Sequence, residues 1–383
     1  MPDDRPPRGV WPDACGREAI AVVAGAALGF GALVASLDRW LFVDDAVWRW
    51  VLLARGCRTD GIVEQAVDVA TIGLAAMLAF GCVLHLRVKG LRSAWPWLAT
   101  WALGMLASKM LKHVFTRDRP SALPDLATGY SFPSAHVMNG LLAALAVVAL
   151  AWPFRHRARW CLLASAAAVT MVCGRVLLGR HWTTDVVGGV LAALVLAGGA
   201  VPLIARRPLA APLALGALAV ALLAFDACLG DAGIRLPSPL LSRQAAVADV
   251  DVGPEMTTAR RGEWHEPGIE PPFGSYLWIE GEASLVLPVV AGSVAGGAAA
   301  MLVFAARPEK RHDSCLRLDV ALNGRRLARF VPFIGWREYR LSIPTGVLRD
   351  ADNDLVFSAR RSTGPARFAV TSARIVLPSS DAE

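Results

Sequence analysis

Three short clusters in the middle of the chain carry residue types suited to phosphate chemistry. Lys112 is followed, after six residues, by Arg119 and Pro120; Pro133, Ser134, Ala135 and His136 are contiguous; Arg175 precedes His181 by five intervening residues, and Asp185 follows three residues later. Lys112 offers a point charge and Arg119 a bidentate fork to a dianionic phosphate. Ser134 adds a hydroxyl and Ala135 a backbone N–H at a helix start, where free amide groups suit an anion. His136 is placed to act as a general acid. If the helix that contains Asp185 already includes His181, the i,i+4 spacing puts both on one face. Asp185 then accepts the Nδ1 proton and leaves Nε2 free as a nucleophile. Read singly, each cluster also fits a plainer role: a snorkelling Lys with a solvated Arg, an N-cap Ser with an interfacial His, an interfacial i,i+4 pair. Together they make a phosphate site with a nucleophile and a leaving-group acid. No Asp/Glu cluster suggests a metal, and no cofactor is expected, so the cations carry the electrostatic work.

The elements that must position these residues are apolar helices. The chain has 383 residues, 55% apolar and 19% charged, against about 25% charged in an ordinary soluble domain. The apolar excess lies in the first three-fifths. A bilayer span needs roughly 20 apolar residues, and seven stretches qualify: Ala19–Leu37, Val63–Leu84, Ala94–Phe115, Val137–Trp152, Trp160–Leu178, Asp185–Ile204 and Pro212–Phe225. Trp40–Ala54 carries Asp44, Asp45 and Arg49 among three tryptophans and reads as an interfacial amphipathic helix. The polar N-terminus lacks the pattern of a cleaved signal peptide. Arg87, Lys89 and Arg92, then Arg155, Arg157 and Arg159, then Arg206 and Arg207 fall in alternate loops. The positive-inside rule makes that side cytoplasmic, with the N-terminus. All three clusters then lie at the opposite, extracytoplasmic ends of their helices. The net charge of +7 is dispersed over such loops, with no basic and aromatic stripe, and excludes nucleic acid as the expected partner.

Here the pattern resembles a known family. K-x6-RP (Lys112, Arg119, Pro120), PSAH (Pro133–His136) and R-x5-H-x3-D (Arg175, His181, Asp185) are similar, in order, to the three signature motifs of the type 2 phosphatidic acid phosphatase (PAP2) superfamily. The resemblance implies a six-helix membrane core, to which the seventh span is an addition. It also implies His181 as nucleophile, Asp185 as its orienting partner and His136 as the acid. Lys112, Arg119, Ser134, Ala135 and Arg175 would bind phosphate. The implied activity is removal of phosphate from a lipid phosphate or pyrophosphate in an inner membrane, with the site facing the periplasm. Two positions depart from the family pattern: Ala135 stands where glycine is usual, and Gly174 where serine is usual.

The tail has another character. A Pro-containing stretch, 229–255, reads as a linker, and 256–383 as an all-β, jelly-roll-like sandwich; the membrane domain spans 19–228 and a cytoplasmic segment 1–18. Leu316–Leu322 and Arg326–Val331 flank Asn323–Gly324, a hairpin signal. Trp336–Ile343, Leu355–Ala359 and Arg367–Leu377 also read as strands. Leu285–Ala306 is uncharged, but Pro288, Gly292, Gly296 and Gly297 favour two strands joined by a turn over an eighth span. The runs W-R-E-Y-R-L-S-I-P and N-D-L-V-F resemble galactose-binding-like modules, which implies a glycan or envelope ligand for this domain. Two alternatives follow: a phosphotransferase that passes the phosphoryl group to another lipid or a glycan, and an envelope glycan-binding protein. Trp264, Trp278 and Trp336 read as β core rather than sugar platforms. His85, His113, His156, His265 and His312 have no partners at useful spacings, Lys109 snorkels, Asp226 is interfacial, and the seven cysteines show no metal spacing.

Overall fold

The computed structural model describes residues 13–56, 58–120, 130–151, 154–207, 210–228, 233–237, 246–251, 260–270, 274–289, 300–309, 316–333, 335–361 and 366–377. Eight α-helices open the chain: α1 (Asp13–Ala35), α2 (Leu41–Ala54), α3 (Thr59–Lys89), α4 (Leu91–Val114), α5 (Ala135–Ala151), α6 (Arg157–Leu177), α7 (Thr183–Arg206) and α8 (Ala210–Cys228). Each of the seven apolar stretches falls on one of them, and α2 is the short polar helix. By length and apolarity α3, α6 and α7 can each cross a membrane, and α1 with α2, bent by 81°, can do so as a pair. The chain is a membrane protein, although fewer helices meet that test singly than the seven expected. Helix α5 has only 17 residues, and α4 carries Trp95, Pro96, Trp97 and two lysines, which lower its hydropathy.

The outward faces of the helices are apolar. Ile20, Leu28, Ile72, Leu162, Leu213 and Val220 are all exposed, as lipid-facing side chains must be. The inward face of the bundle is built from small residues: Ala94, Ala143, Ala146 and Ala164 are buried with Leu74, Leu78 and Leu150. Small side chains let helix backbones approach where no hydrophobic drive separates helix from lipid. Gly174 is the sharpest case. A Cβ there would strike Cγ2 of Val67 on α3, so the serine usual at this motif position would force this helix pair to shift.

Eleven strands complete the fold. β1 (Phe115–Thr116) pairs in parallel with β2 (Ile234–Arg235). The others are β3 (Ala246–Asp251), β4 (Arg260–Glu270), β5 (Gly274–Pro288), β6 (Ala300–Pro308), β7 (Leu316–Leu322), β8 (Arg325–Phe330), β9 (Arg337–Ile343), β10 (Asp352–Arg361) and β11 (Arg367–Val376). They make one antiparallel system, in the order β8-β7-β10-β5-β11-β6-β9, with β3 on β11 and β4 on β5. β7 and β10 alternate buried and outward positions, the period-2 pattern of half-buried strands. Asn323 and Gly324 both have positive φ, 51° and 79°, as a two-residue hairpin turn requires. Asn353 is fully buried and satisfied: its amide donates to the carbonyls of Arg349 and Ala351 and accepts from Asn323.

The stretch 285–306 ends β5 and begins β6, with 290–299 outside the described residues; it does not form an eighth span. The stretch expected as linker holds β2 and β3. β2 is drawn in because Leu236 N–H bonds the Thr116 carbonyl (2.8 Å) and Leu236 packs with Leu33, Leu37 and Phe132. Trp336 is buried with Tyr276 and Ala369, with Trp278 against them, a core arrangement. His85 bridges the Leu150 carbonyl and Ser93, a structural role.

Gly174→Ser should therefore lower stability by about 1–3 kcal/mol, the usual cost of overpacking, and should not raise activity. Thermal unfolding in detergent checks this, and adding Val67→Ala should restore most of the loss.

Candidate active site

Four helix ends bring the motif residues to one end of the bundle. Lys112 lies in the last turn of α4, Ala135 and His136 open α5, Arg175 lies in the last turn of α6, and Asp185 lies in the first turn of α7. The α5 and α7 ends are tied directly, Ser134 N–H donating to the Asp185 carbonyl at 3.0 Å. Arg119 follows β1 and reaches the carbonyls of Arg180 (3.3 Å) and Tyr130 (3.5 Å). Lys112, Arg119 and Arg175 lie within electrostatic reach of one another, and His136 within reach of all three and of His181. The structure thus brings every predicted site residue together. Ala135 does not need a glycine's freedom: among non-glycine residues described, only Asn323 has positive φ.

His181 sits just ahead of α7, in a tight loop after α6. Gly179 N–H bonds the Val176 carbonyl and Arg180 N–H the Arg175 carbonyl, which turns the chain sharply at Gly179 (φ +61°). His181 is 3% exposed, and its Nδ1 lies 3.5 Å from Oδ2 of Asp185. That separation is long for a hydrogen bond; because α7 begins only at Thr183, the two groups face each other across the helix start and not along one helical face as the i,i+4 spacing suggested. Burial pulls the His181 imidazole down to about 4; Asp185 opposes this, and Arg119 and Lys112 add a smaller downward push. At neutral pH the ring is uncharged, as a nucleophile must be. The Ser134 hydroxyl and Arg175 Nε are likewise buried with no hydrogen-bond partner among the described residues.

Beneath His181 lies a network that local spacing could not reveal. Arg117 is fully buried, Nη1 bonding Asp185 Oδ1 at 2.6 Å and Thr184 Oγ1 at 2.7 Å, Nη2 bonding Asp44 Oδ2 at 2.8 Å. Its Nε donates to the Pro237 carbonyl at 2.8 Å. Asp44, on α2, also accepts from the Thr184 N–H and hydroxyl. Asp185 Oδ2 accepts the Trp182 N–H at 2.9 Å. The one sequence signal for Arg117 was its place inside the K-x6-RP interval; for Asp44 it was its place among the charges of the amphipathic segment Trp40–Ala54.

A cavity of about 210 Å³ reaches this end of the bundle between α3, α4, α5 and α6. His136 and Asn139 lie at its polar side; Leu74, Leu78, Trp101 and Met171 line the rest. Away from His136 and Asn139 its walls are apolar, a surface suited to hydrocarbon. The buried face of α2 (Asp44, Trp48, Val51, Leu52) turns toward the Leu178–Trp182 loop and the β domain, while Phe42 and Trp50 are exposed, so α2 bridges the two.

Residues 93–208 match the model of the PAP2 superfamily. Phosphatidylglycerophosphatase B of Bacillus subtilis (strain 168) is 34% identical over 98 residues, which are 24% of this chain and 48% of that protein. The chain thus spans about half the length of this curated relative. A crystal structure of a transmembrane PAP2 type phosphatidylglycerolphosphate phosphatase from Bacillus subtilis aligns with a TM-score of 0.42 at 21% identity, covering 48% of this chain and 96% of that one. The tail aligns with the CBM36-1 domain of a xylanase from the hindgut metagenome of Trinervitermes trinervoides, with a TM-score of 0.23 at 14% identity, over 33% of this chain and 95% of that one. Residues 93–208, which hold all three motifs and the helix ends that bring them together, form a PAP2 superfamily domain.

Proposed function

We propose that the chain is a metal-independent lipid phosphate phosphatase that works through a phosphohistidine at His181, on the extracytoplasmic face of an inner membrane. The observation that carries this reading is a buried His181 facing Asp185, with Lys112 and Arg119 within electrostatic reach of it and Arg175 within reach of both cations. The opposite charge of the α3–α4, α5–α6 and α7–α8 connections supports the orientation. The apolar cavity beside His136 supports a lipid leaving group. The relative named above acts on phosphatidylglycerophosphate, which makes that lipid the first substrate to assay.

In the proposed reaction the phosphate is held by Lys112, Arg119, Arg175, the Ser134 hydroxyl and the first amides of α5. The His181 Nε2 lone pair attacks phosphorus, and an N–P bond forms as the P–O bond to the lipid breaks. His136, set among cations, takes up a proton as the anionic phosphate enters among them, and gives it to the departing lipid oxygen. Water then attacks the phosphohistidine, leaving its proton on His136, and the N–P bond breaks to release phosphate. Asp185 holds Nδ1 and stabilises the positive charge on the ring during both steps, while Arg117 and Asp44 fix Asp185.

His181→Ala should lower kcat for lipid phosphate by at least about 10⁴-fold, and Arg175→Ala by about 10²–10³-fold, in phosphate-release assays on purified protein. Near-native release by His181→Ala would contradict the mechanism. Arg117→Met leaves two carboxylates buried without their partner; it should cost about 3–5 kcal/mol of stability, seen in thermal unfolding, and Arg117→Met/Asp44→Asn should recover part of that cost. The acid limb of kcat/KM reports free-enzyme groups. After correction for the substrate's own ionisation, the part due to His181 should fall near pH 4 rather than 6.5. The sign follows from burial: between those values an unfolded His181 binds a proton that the folded one refuses. Stability from this group is therefore intact above about 6.5 and lost as the pH falls toward about 4.

A further inference from the structure

The β domain does not stand apart from the site. Its apolar core is continuous with Trp48, Val51 and Leu52 of α2 and with Trp182 of the catalytic loop. Phe333, between β8 and β9, is 1% exposed. Its ring lies where a Cβ on Gly179 would have to go: Cε1 would be 2.7 Å and Cζ 2.9 Å away. On the same ring the Arg55 guanidinium lies 3.7 Å from the centroid, and Arg55 Nη1 donates to the Leu177 carbonyl at 2.9 Å. Arg55 also pairs with Asp60. The Phe333 N–H donates to the buried Tyr339 hydroxyl at 2.9 Å, so the wedge is anchored in the sandwich.

At the other end of the loop, the Arg340 guanidinium lies 5.6 Å from the Trp182 ring and 5.8 Å from Trp48. Arg340 is 2% exposed and is held by Glu338 (3.2 Å) and by Asp45 of α2 (3.7 Å). Leu178–Trp182 is thus gripped at Gly179 by Phe333 and at Trp182 by Arg340, with His181 between them. Beneath the loop is the Asp185–Arg117–Asp44 network. Further polar ties run from Arg119 to the Arg180 carbonyl (3.3 Å), from Trp182 Nε1–H to the Asp118 carbonyl (2.8 Å) and from Arg180 to Glu64, the last a pair roughly half exposed that fixes little.

We propose that the β domain is a working part of the active site: Phe333 is a positioning residue that, with Arg340, clamps the nucleophile loop and closes the outer side of His181 to water. The inference rests on His181 being the nucleophile. It gives the tail a role in catalysis that needs no ligand of its own. Glycine is required at 179 twice over, for its positive φ and for the seat of the Phe333 ring. A clamp of this kind acts on kcat, because a displacement of about 1 Å at a nucleophile costs about 100-fold. It also acts on the titration of His181. That ring is faced by Asp185 from α7, Lys112 from α4, Arg119 from the loop after β1 and His136 from α5. All four remain when Phe333 is cut back; only the exclusion of water changes.

The test uses the full-length chain with Phe333→Ala, Phe333→Leu, Gly179→Ala, the Gly179→Ala/Phe333→Ala pair and His181→Ala. Phe333→Ala should lower kcat about 100-fold and leave KM within about threefold. It should also move the acid limb of kcat/KM from about 4 toward 6.5. Phe333→Leu, which keeps most of the apolar volume and carries the test if Phe333→Ala does not fold, should lie between it and the native chain in both readouts. Gly179→Ala should do less harm in the Phe333→Ala background than in the native chain, because the ring it strikes is gone. If the Phe333 variants keep native kcat and pH profile and lose only thermal stability, the clamp is wrong and the phosphohistidine reading stands. Strictly additive effects of the Gly179 and Phe333 changes would also overturn it. An active His181→Ala overturns both.

Discussion

Arg117 is buried with no access to water, and its guanidinium is shared between the carboxylates of Asp44 and Asp185. Burying three ionisable groups in one place is costly unless their hydrogen-bonding capacity is filled. Here the Arg117 bonds go to the two acids, the Thr184 hydroxyl and the Pro237 carbonyl. The acids in turn accept from Thr184 and from the Trp182 N–H. One guanidinium thereby joins α2, the segment after β1, the N-terminus of α7 and the strand segment at β2. Removing it would release the orientation of Asp185, and with it that of His181.

That network explains the division of labour in the site. The cations Lys112, Arg119 and Arg175 lie on the phosphate side of His181, and the acids lie beneath it. A neutral imidazole between the two layers can accept a phosphoryl group and then carry positive charge toward Asp185. The helix termini add their own field, since α5 and α7 both point their N-terminal amides into this end of the bundle. On a third side lies the β domain, where Phe333 and Arg340 meet the loop that carries His181.

Much of this was legible in the sequence, because it was local. The three clusters are short in sequence and end at helix termini, so His181 and Asp185 come to face each other, although across the start of α7 and not within one helix as the i,i+4 reading supposed. The Asn323–Gly324 turn and strands β7 to β11 were readable from alternation and turn chemistry. Gly174 was visible as a departure, but its reason, the contact with Val67, belongs to another helix. Asp44 could not be placed: it meets Arg117 across 73 residues and Thr184 across 140, and no period links them. β2 is two residues long, too short for any pattern, and is fixed by its pairing with β1. Phe333 carries no sequence signal of its own, because its contact with Gly179 joins positions far apart in the chain.

The central claim is that phosphate passes through a covalent bond to His181. It is tested most directly by rapid quench of the purified full-length chain with lipid carrying labelled phosphate, at alkaline pH, followed by peptide mapping. The account predicts an acid-labile, alkali-stable label on the peptide that contains His181, formed and lost at rates fast enough to carry turnover, and absent from His181→Ala. Full turnover with no labelled protein, or label on another residue, would contradict it.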